Sequence, residues 1–233
     1  MINFNVISNP KSNIWIVFIH GAGGSIRTWN RQVGALQQHA KLLLLDLRDH
    51  GASEPVNPSP DQYDFALISS DIKEVMDHLE ISKAHFITLS LGTVLIQDFS
   101  MRYPSYIGKV VMAGGVFKAN FILKCFIHTA KTLNNILPFA TMYRLCSYIL
   151  MPRKRNQTSR KIYQREAQKL TRASYMRWVS LSKYFIKSLK LFSKTKSSFE
   201  NLIIMGGQDY VFLSGARKYS KNQPKSTFII IPT

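Results

Sequence analysis

Cysteine is scarce in this chain, with two thiols, Cys125 and Cys146, among 233 residues. Neither belongs to a C-x-x-C pair, which argues against a disulfide-stapled scaffold or a thioredoxin-type motif. Both sit in apolar stretches and read as reduced core thiols. Long apolar runs are missing too. The most apolar region, 121–151, is broken by Lys124, His128, Lys131 and Arg144, so nothing reads as a membrane span. The opening residues, Met1-Ile2-Asn3-Phe4-Asn5-Val6, lack the basic, apolar and small-residue order of a secretory signal. The expectation is a soluble cytoplasmic protein. His, Cys and carboxylate side chains nowhere show metal-ligand spacing, and neither a metal nor another cofactor is expected.

Acidic residues are also few, 13 Asp and Glu against 31 Lys and Arg, for a net charge of +18. The imbalance is regional. Residues 144–196 hold fifteen basic side chains and one acid, Glu166, whereas the flanking parts are close to neutral. Within that stretch, 153–196 is amphipathic, with Tyr163, Leu170, Trp178, Leu181, Phe185, Leu189 and Phe192 spaced among the lysines and arginines. Such a surface suits weak association with an anionic membrane, or is simply a solvated helical face. No nucleic-acid motif accompanies the charge, and no nucleic acid is expected as a partner.

What is present in quantity is apolar sequence, at 45% of residues, enough to bury one sizeable core. Strand-like runs recur at 4–7, 14–19, 42–46, 85–89, 110–113, 202–205 and 227–231. Most are continuous rather than alternating, as in strands covered on both faces. Helix-period stretches fall between them at 28–39, 64–79, 91–102 and 211–220. This alternation predicts an α/β fold with a mainly parallel sheet and flanking helices. It stops between Phe117 and Ser198, where helical patterning with breaks at Pro138 and Pro152 predicts an inserted helical cap. The expected organisation is a core of 1–116 and 197–233 with a strongly basic cap at 117–196.

Two loops carry chemical signals. Phe86-Ile87-Thr88-Leu89-Ser90-Leu91-Gly92 runs from an apolar strand through a serine into a helix-period stretch, the context of a nucleophile elbow. Gly92 supplies one of the two small residues that let strand and helix approach; Thr88 stands where the other glycine of G-x-S-x-G is due. The alternative is an ordinary serine at a strand end. The second signal, His20-Gly21-Ala22-Gly23-Gly24-Ser25, follows another strand. Its glycines permit backbone N–H groups to point into a cavity and hold an oxyanion. A phosphate-cradling loop is the rival, but neither phosphate-loop glycine spacing follows.

With Asp46-Leu47-Arg48-Asp49-His50-Gly51-Ala52-Ser53 after the next strand, and Gly206-Gly207-Gln208-Asp209 after a later one, the pattern becomes specific. The chain resembles the α/β-hydrolase superfamily, in its branch of small esterases, haloperoxidase-like proteins and C–C bond hydrolases. The resemblance implies that Ser90 is the nucleophile, Asp209 the acid that orients a histidine, and the backbone N–H groups of Ala22 and Leu91 the oxyanion hole. It also implies a small-molecule ester or acyl substrate. A serine at the elbow argues against the aspartate mechanism of dehalogenases and epoxide hydrolases.

The resemblance further places a histidine in a loop after the last strand, and none occurs after His128. His20 and His50 match structural positions, and His39, His78, His85 and His128 are poor substitutes. The expectation is a C-terminally incomplete fold, inactive for want of a base, or a ligand-binding pseudoenzyme, or a site completed by a histidine of the cap or of a partner subunit.

Overall fold

The computed structural model describes residues 1–53, 62–133 and 138–232. Seven strands form one sheet in the order β1-β3-β2-β4-β5-β6-β7. They are β1 (Phe4–Ile7), β2 (Trp15–Ile19), β3 (Lys41–Leu45), β4 (Ala84–Leu89), β5 (Ile107–Ala113), β6 (Asn201–Gly206) and β7 (Ser226–Ile231). Only β1 runs antiparallel to its neighbour, β3. All other pairs are parallel. The continuous apolar run of β3 has the physical reason anticipated: Leu42, Leu43, Leu44 and Leu45 are all buried, because helices cover both faces. Strand β5 begins earlier than its apolar run suggests, at Ile107, because the 3-10 turn Pro104–Tyr106 feeds straight into it while Gly108 and Lys109 mask the pattern.

The first expected helix is split. Ser25 caps a 3-10 turn, Ile26–Trp29, through a box with Thr28, and α1 (Asn30–Leu36) follows. Helix α2 (Phe65–His78) starts at Asp64, whose carboxylate accepts the Leu67 N–H at 2.8 Å, and buries Phe65, Ile68, Ile72, Val75 and Met76 on one face. Helix α3 (Gly92–Arg102) is buried from Gly92 to Ser100, because it packs on the central strands and is covered by α2 and by the later helix Ser182–Lys194.

Between β5 and β6 the described residues form helices: α4 (Phe121–Leu133), α5 (Phe139–Leu150), α6 (Gln157–Ala167), α7 (Arg172–Ser180) and α8 (Ser182–Lys194). Pro138 precedes α5 and Pro152 follows it, where each lacks only an N–H the helix does not need. These helices divide by what they pack against. Tyr143, Ala167, Leu170 and Tyr175 form a small cluster of their own. Trp178, Leu181, Phe185, Leu189 and Phe192 belong to the main core beneath the sheet residues Phe86, Val110 and Ile203. Helix α9 (Leu213–Lys221) links β6 to β7.

The two thiols separate. Cys146 is buried, but Cys125 is exposed on the outer face of α4, beside Lys124, which corrects the expectation of two core thiols. Among the described residues, no helix is long and apolar enough to cross a membrane.

Candidate functional site

In a parallel sheet the loops leaving the carboxyl ends of the strands share one edge, where open α/β sheets place their ligands. Here that edge gathers the turn after β4 (Ser90), the loops after β2 (20–25) and β3 (46–53), and the turn after β6 (206–209).

Ser90 has φ 52°, the left-handed region that a non-glycine residue occupies only when its surroundings force it. Three contacts do so. Its N–H donates to Ala113 O at 3.0 Å, its carbonyl accepts the Thr93 N–H at 2.9 Å, and the Thr93 hydroxyl donates to the same carbonyl at 2.6 Å. Gly92 is required by proximity, since a Cβ there would lie 2.6 Å from Ile19 O. Thr88, the residue standing where a glycine was due, is fully buried and donates its hydroxyl to Val111 O at 2.9 Å. The elbow accommodates this side chain by using its hydroxyl. Among the described residues, Ser90 Oγ makes no hydrogen bond.

The loop after β2 lies against this serine: a Cβ on Gly21 would sit 3.0 Å from Ser90 Cβ and 3.5 Å from its Oγ. Ala22, Ser90 and Leu91 line one cavity of about 220 Å³. Its walls are otherwise nearly all apolar, with Leu123, Met142, Trp178, Phe185 and Phe212 among them, and none of the described lining side chains is charged. Among the described residues, the N–H groups of Ala22 and Leu91 donate to no backbone acceptor. Three of the four expected site positions therefore meet at one cavity.

Asp209 does not line that cavity. Its Oδ1 accepts the N–H groups of Val211 at 3.0 Å and Phe212 at 2.8 Å, so it opens the turn into α9 while the side chains of those two residues reach the cavity wall. The end of β7 is adjacent, since the Gly207 N–H donates to Ile231 O at 3.0 Å.

The histidines are otherwise engaged. His20 donates from Nδ1 to Gly21 O at 2.7 Å and accepts the Leu47 N–H on Nε2 at 3.0 Å. His50 donates from Nδ1 to Arg48 O at 2.9 Å and accepts the Gly23 N–H on Nε2 at 2.9 Å. Each ring thus pins the loop after β2 to the loop after β3 and has no lone pair left for a proton. Burial, reinforced by the neighbouring His50, lowers the His20 pKa to about 3. Burial likewise pushes His50 below its usual value. His85 Nδ1 accepts the Lys109 N–H at 2.8 Å at the far end of β4. His39, His78 and His128 are exposed, and none of the six histidines lines the cavity.

Another set of residues holds the site together and was not anticipated. Asp49, at φ 64° and fully buried, receives Arg177 of α7 through Nε at 2.9 Å and Nη2 at 2.5 Å, and the Tyr63 hydroxyl at 3.0 Å. Beside it Trp178 donates Nε1 to Arg48 O at 3.1 Å and packs edge-on against His50. The one acid of 144–196, Glu166, accepts the Ser25 hydroxyl at 2.8 Å and Lys169 at 2.6 Å. Burial opposes its charge, but these two bonds outweigh it and hold the carboxyl below its usual pKa. One signal for Arg177 was available: it shares a helical face with Ser174, Trp178, Leu181 and Phe185, and an arginine on such a face needs a carboxylate.

Comparisons with known proteins bear on the family and the fold. The family model described as alpha/beta hydrolase fold matches residues 14–232. A 3-oxoadipate enol-lactonase of Acinetobacter baylyi is 28% identical over 104 residues, which is 44% of this chain and 38% of that enzyme, so the match spans well under half the relative's length. An enol-lactonase structure from Burkholderia xenovorans superposes with a TM-score of 0.78 at 18% identity, covering 99% of this chain and 87% of that one. A hydrolase from Oleispira antarctica gives 0.81 at 14% identity, covering 99% and 86%. At these identities the two structures speak for the fold. With the family model spanning most of its length, the chain belongs to the α/β-hydrolase fold family.

Proposed function

We propose that this protein is a serine hydrolase of carboxylic esters with an apolar acyl group, built around Ser90. The observation that carries the reading is Ser90 itself, held at positive φ with its hydroxyl unspent in an apolar cavity whose rim includes the free N–H groups of Ala22 and Leu91. In this reading Ser90 Oγ attacks the ester carbonyl, its proton passes to a base, and the two N–H groups stabilise the oxyanion. The alcohol leaves with a proton. Water then attacks the acyl-enzyme, releasing the carboxylic acid and restoring the serine. Asp209 is the acid that would orient the base. The uncharged cavity wall supports a neutral acyl group, since an anionic one would find no lysine or arginine among the described lining residues.

The base is the missing part. Both nitrogens of His20 and His50 are committed, and the other four histidines lie elsewhere. That observation favours a second reading, in which these 233 residues bind an acyl ligand without turning it over.

A fluorophosphonate probe followed by intact mass separates the readings, because it reacts usefully only with a base-activated serine. The 233-residue chain is expected to stay unlabelled. Added imidazole, a diffusible base, is expected to raise labelling at Ser90 and to do nothing to Ser90→Ala. Strong labelling without imidazole would mean that a working base is present, and absence of rescue by imidazole would favour the ligand-binding reading.

A further inference from the structure

We propose that the mouth of the Ser90 cavity docks on an anionic phospholipid surface. Ile149 and Leu150 line the cavity and are also 36% and 39% exposed, so the opening lies at the C-terminal end of α5. Around it Leu145, Tyr148 and Tyr210 stand 48%, 49% and 55% exposed. The Tyr210 hydroxyl donates to Ile149 O, which brings the turn after β6 onto the same rim. Large apolar side chains mixed with tyrosines are the composition that settles at a headgroup boundary.

Cations dominate the charge of the described residues at this rim. Arg160 lies over the Tyr148 ring at 4.9 Å and donates to the carbonyls of Met151 and Arg153, which folds the segment after α5 back against the opening. Arg144, on α5 itself, and Arg153 and Lys154, in the segment that follows it, are exposed. Among the described residues few carboxylates oppose them: Glu166 is buried on Ser25 and Lys169, and Asp209, half-buried beside Tyr210, turns Oδ1 to backbone amides. A cationic rim around an apolar opening complements anionic headgroups above acyl chains. A nucleic acid would use the charge but not the exposed Leu145 and Leu150. On a bilayer, the opening would face the layer from which an acyl chain could enter, and the docking does not depend on turnover.

Cosedimentation of the full chain with phosphatidylcholine vesicles, with and without phosphatidylglycerol, tests this without any catalytic readout. Binding is expected only with phosphatidylglycerol and should fade as NaCl rises. The variant Arg144→Ser/Arg153→Ser/Lys154→Ser should bind about a hundredfold more weakly, at roughly fivefold per charge removed near the surface. Leu145→Ser/Tyr148→Ser, which keeps every charge, should also weaken binding. Both variants are to be matched to the parent in urea unfolding before comparison. Equal binding to neutral vesicles, no binding to either kind, or a Leu145→Ser/Tyr148→Ser variant that binds as the parent does would each overturn the proposal. The last result, together with tight binding to RNA, would mark the rim as a general polyanion site.

Discussion

Arg177→Met is expected to remove about 3–5 kcal/mol of unfolding free energy, the usual cost of stranding one partner of a buried ion pair. Asp49 would keep only the Tyr63 hydroxyl at 3.0 Å and the longer contact from Ser174 at 3.4 Å. A carboxylate with no exposed surface cannot recover its hydration. Asp49→Asn/Arg177→Met should restore part of the loss, because the amide is neutral and asparagine tolerates φ 64° better than most residues. Urea unfolding of the three variants decides the matter. A loss below about 1 kcal/mol in the single variant would mean that water reaches Asp49. The pair also ties α7 to the loop after β3, so the same variant is expected to loosen the cavity wall formed by Trp178.

The second large effect is on acid stability. His20 is neutral in the fold, with its pKa lowered from 6.5 to about 3 by burial and by the neighbouring His50. Between those two values the unfolded chain binds a proton at this ring that the folded chain refuses. Its stability contribution is therefore intact above about pH 6.5 and is lost progressively as pH falls. At 1.4 kcal/mol per unit, moving from pH 7 to pH 5 should cost about 2 kcal/mol from His20 alone. His50, lowered in the same direction, adds to it. The test is a set of unfolding curves across this range for the parent and for His20→Gln, whose amide oxygen can still accept the Leu47 N–H. A parent curve flat between pH 7 and 5 would mean that the rings can take a proton in the folded state.

Much of the sheet was legible because continuous apolar runs of four to six residues mark its strands, those at its centre being buried on both faces. Ser90 was legible for a related reason: an apolar strand that runs into serine and glycine and then a helical period leaves little choice of turn. Thr88 was harder to place. Sequence alone could not say whether its hydroxyl would find a partner, and Val111 O on the next strand supplies one. The assignments of His20 and His50 to loop shaping came from resemblance, and the structure gives the cause in four ring hydrogen bonds. The Asp49–Arg177 pair stayed hidden because its partners lie 128 residues apart and local periodicity carries no information at that distance. The outward direction of Cys125 was invisible too, since an apolar stretch does not reveal which face of α4 meets the core.

Glu166 has one more consequence. Because the lone carboxylate of 144–196 is spent inside the fold, the cations on the surface of this region repel one another with no exposed acid of their own segment between them. Salt at about 0.1 M shortens the reach of that repulsion to about 10 Å, so added NaCl should raise the unfolding midpoint instead of lowering it. Ionic strength then acts with opposite signs on two properties of one surface, strengthening the fold while weakening its hold on anionic lipid.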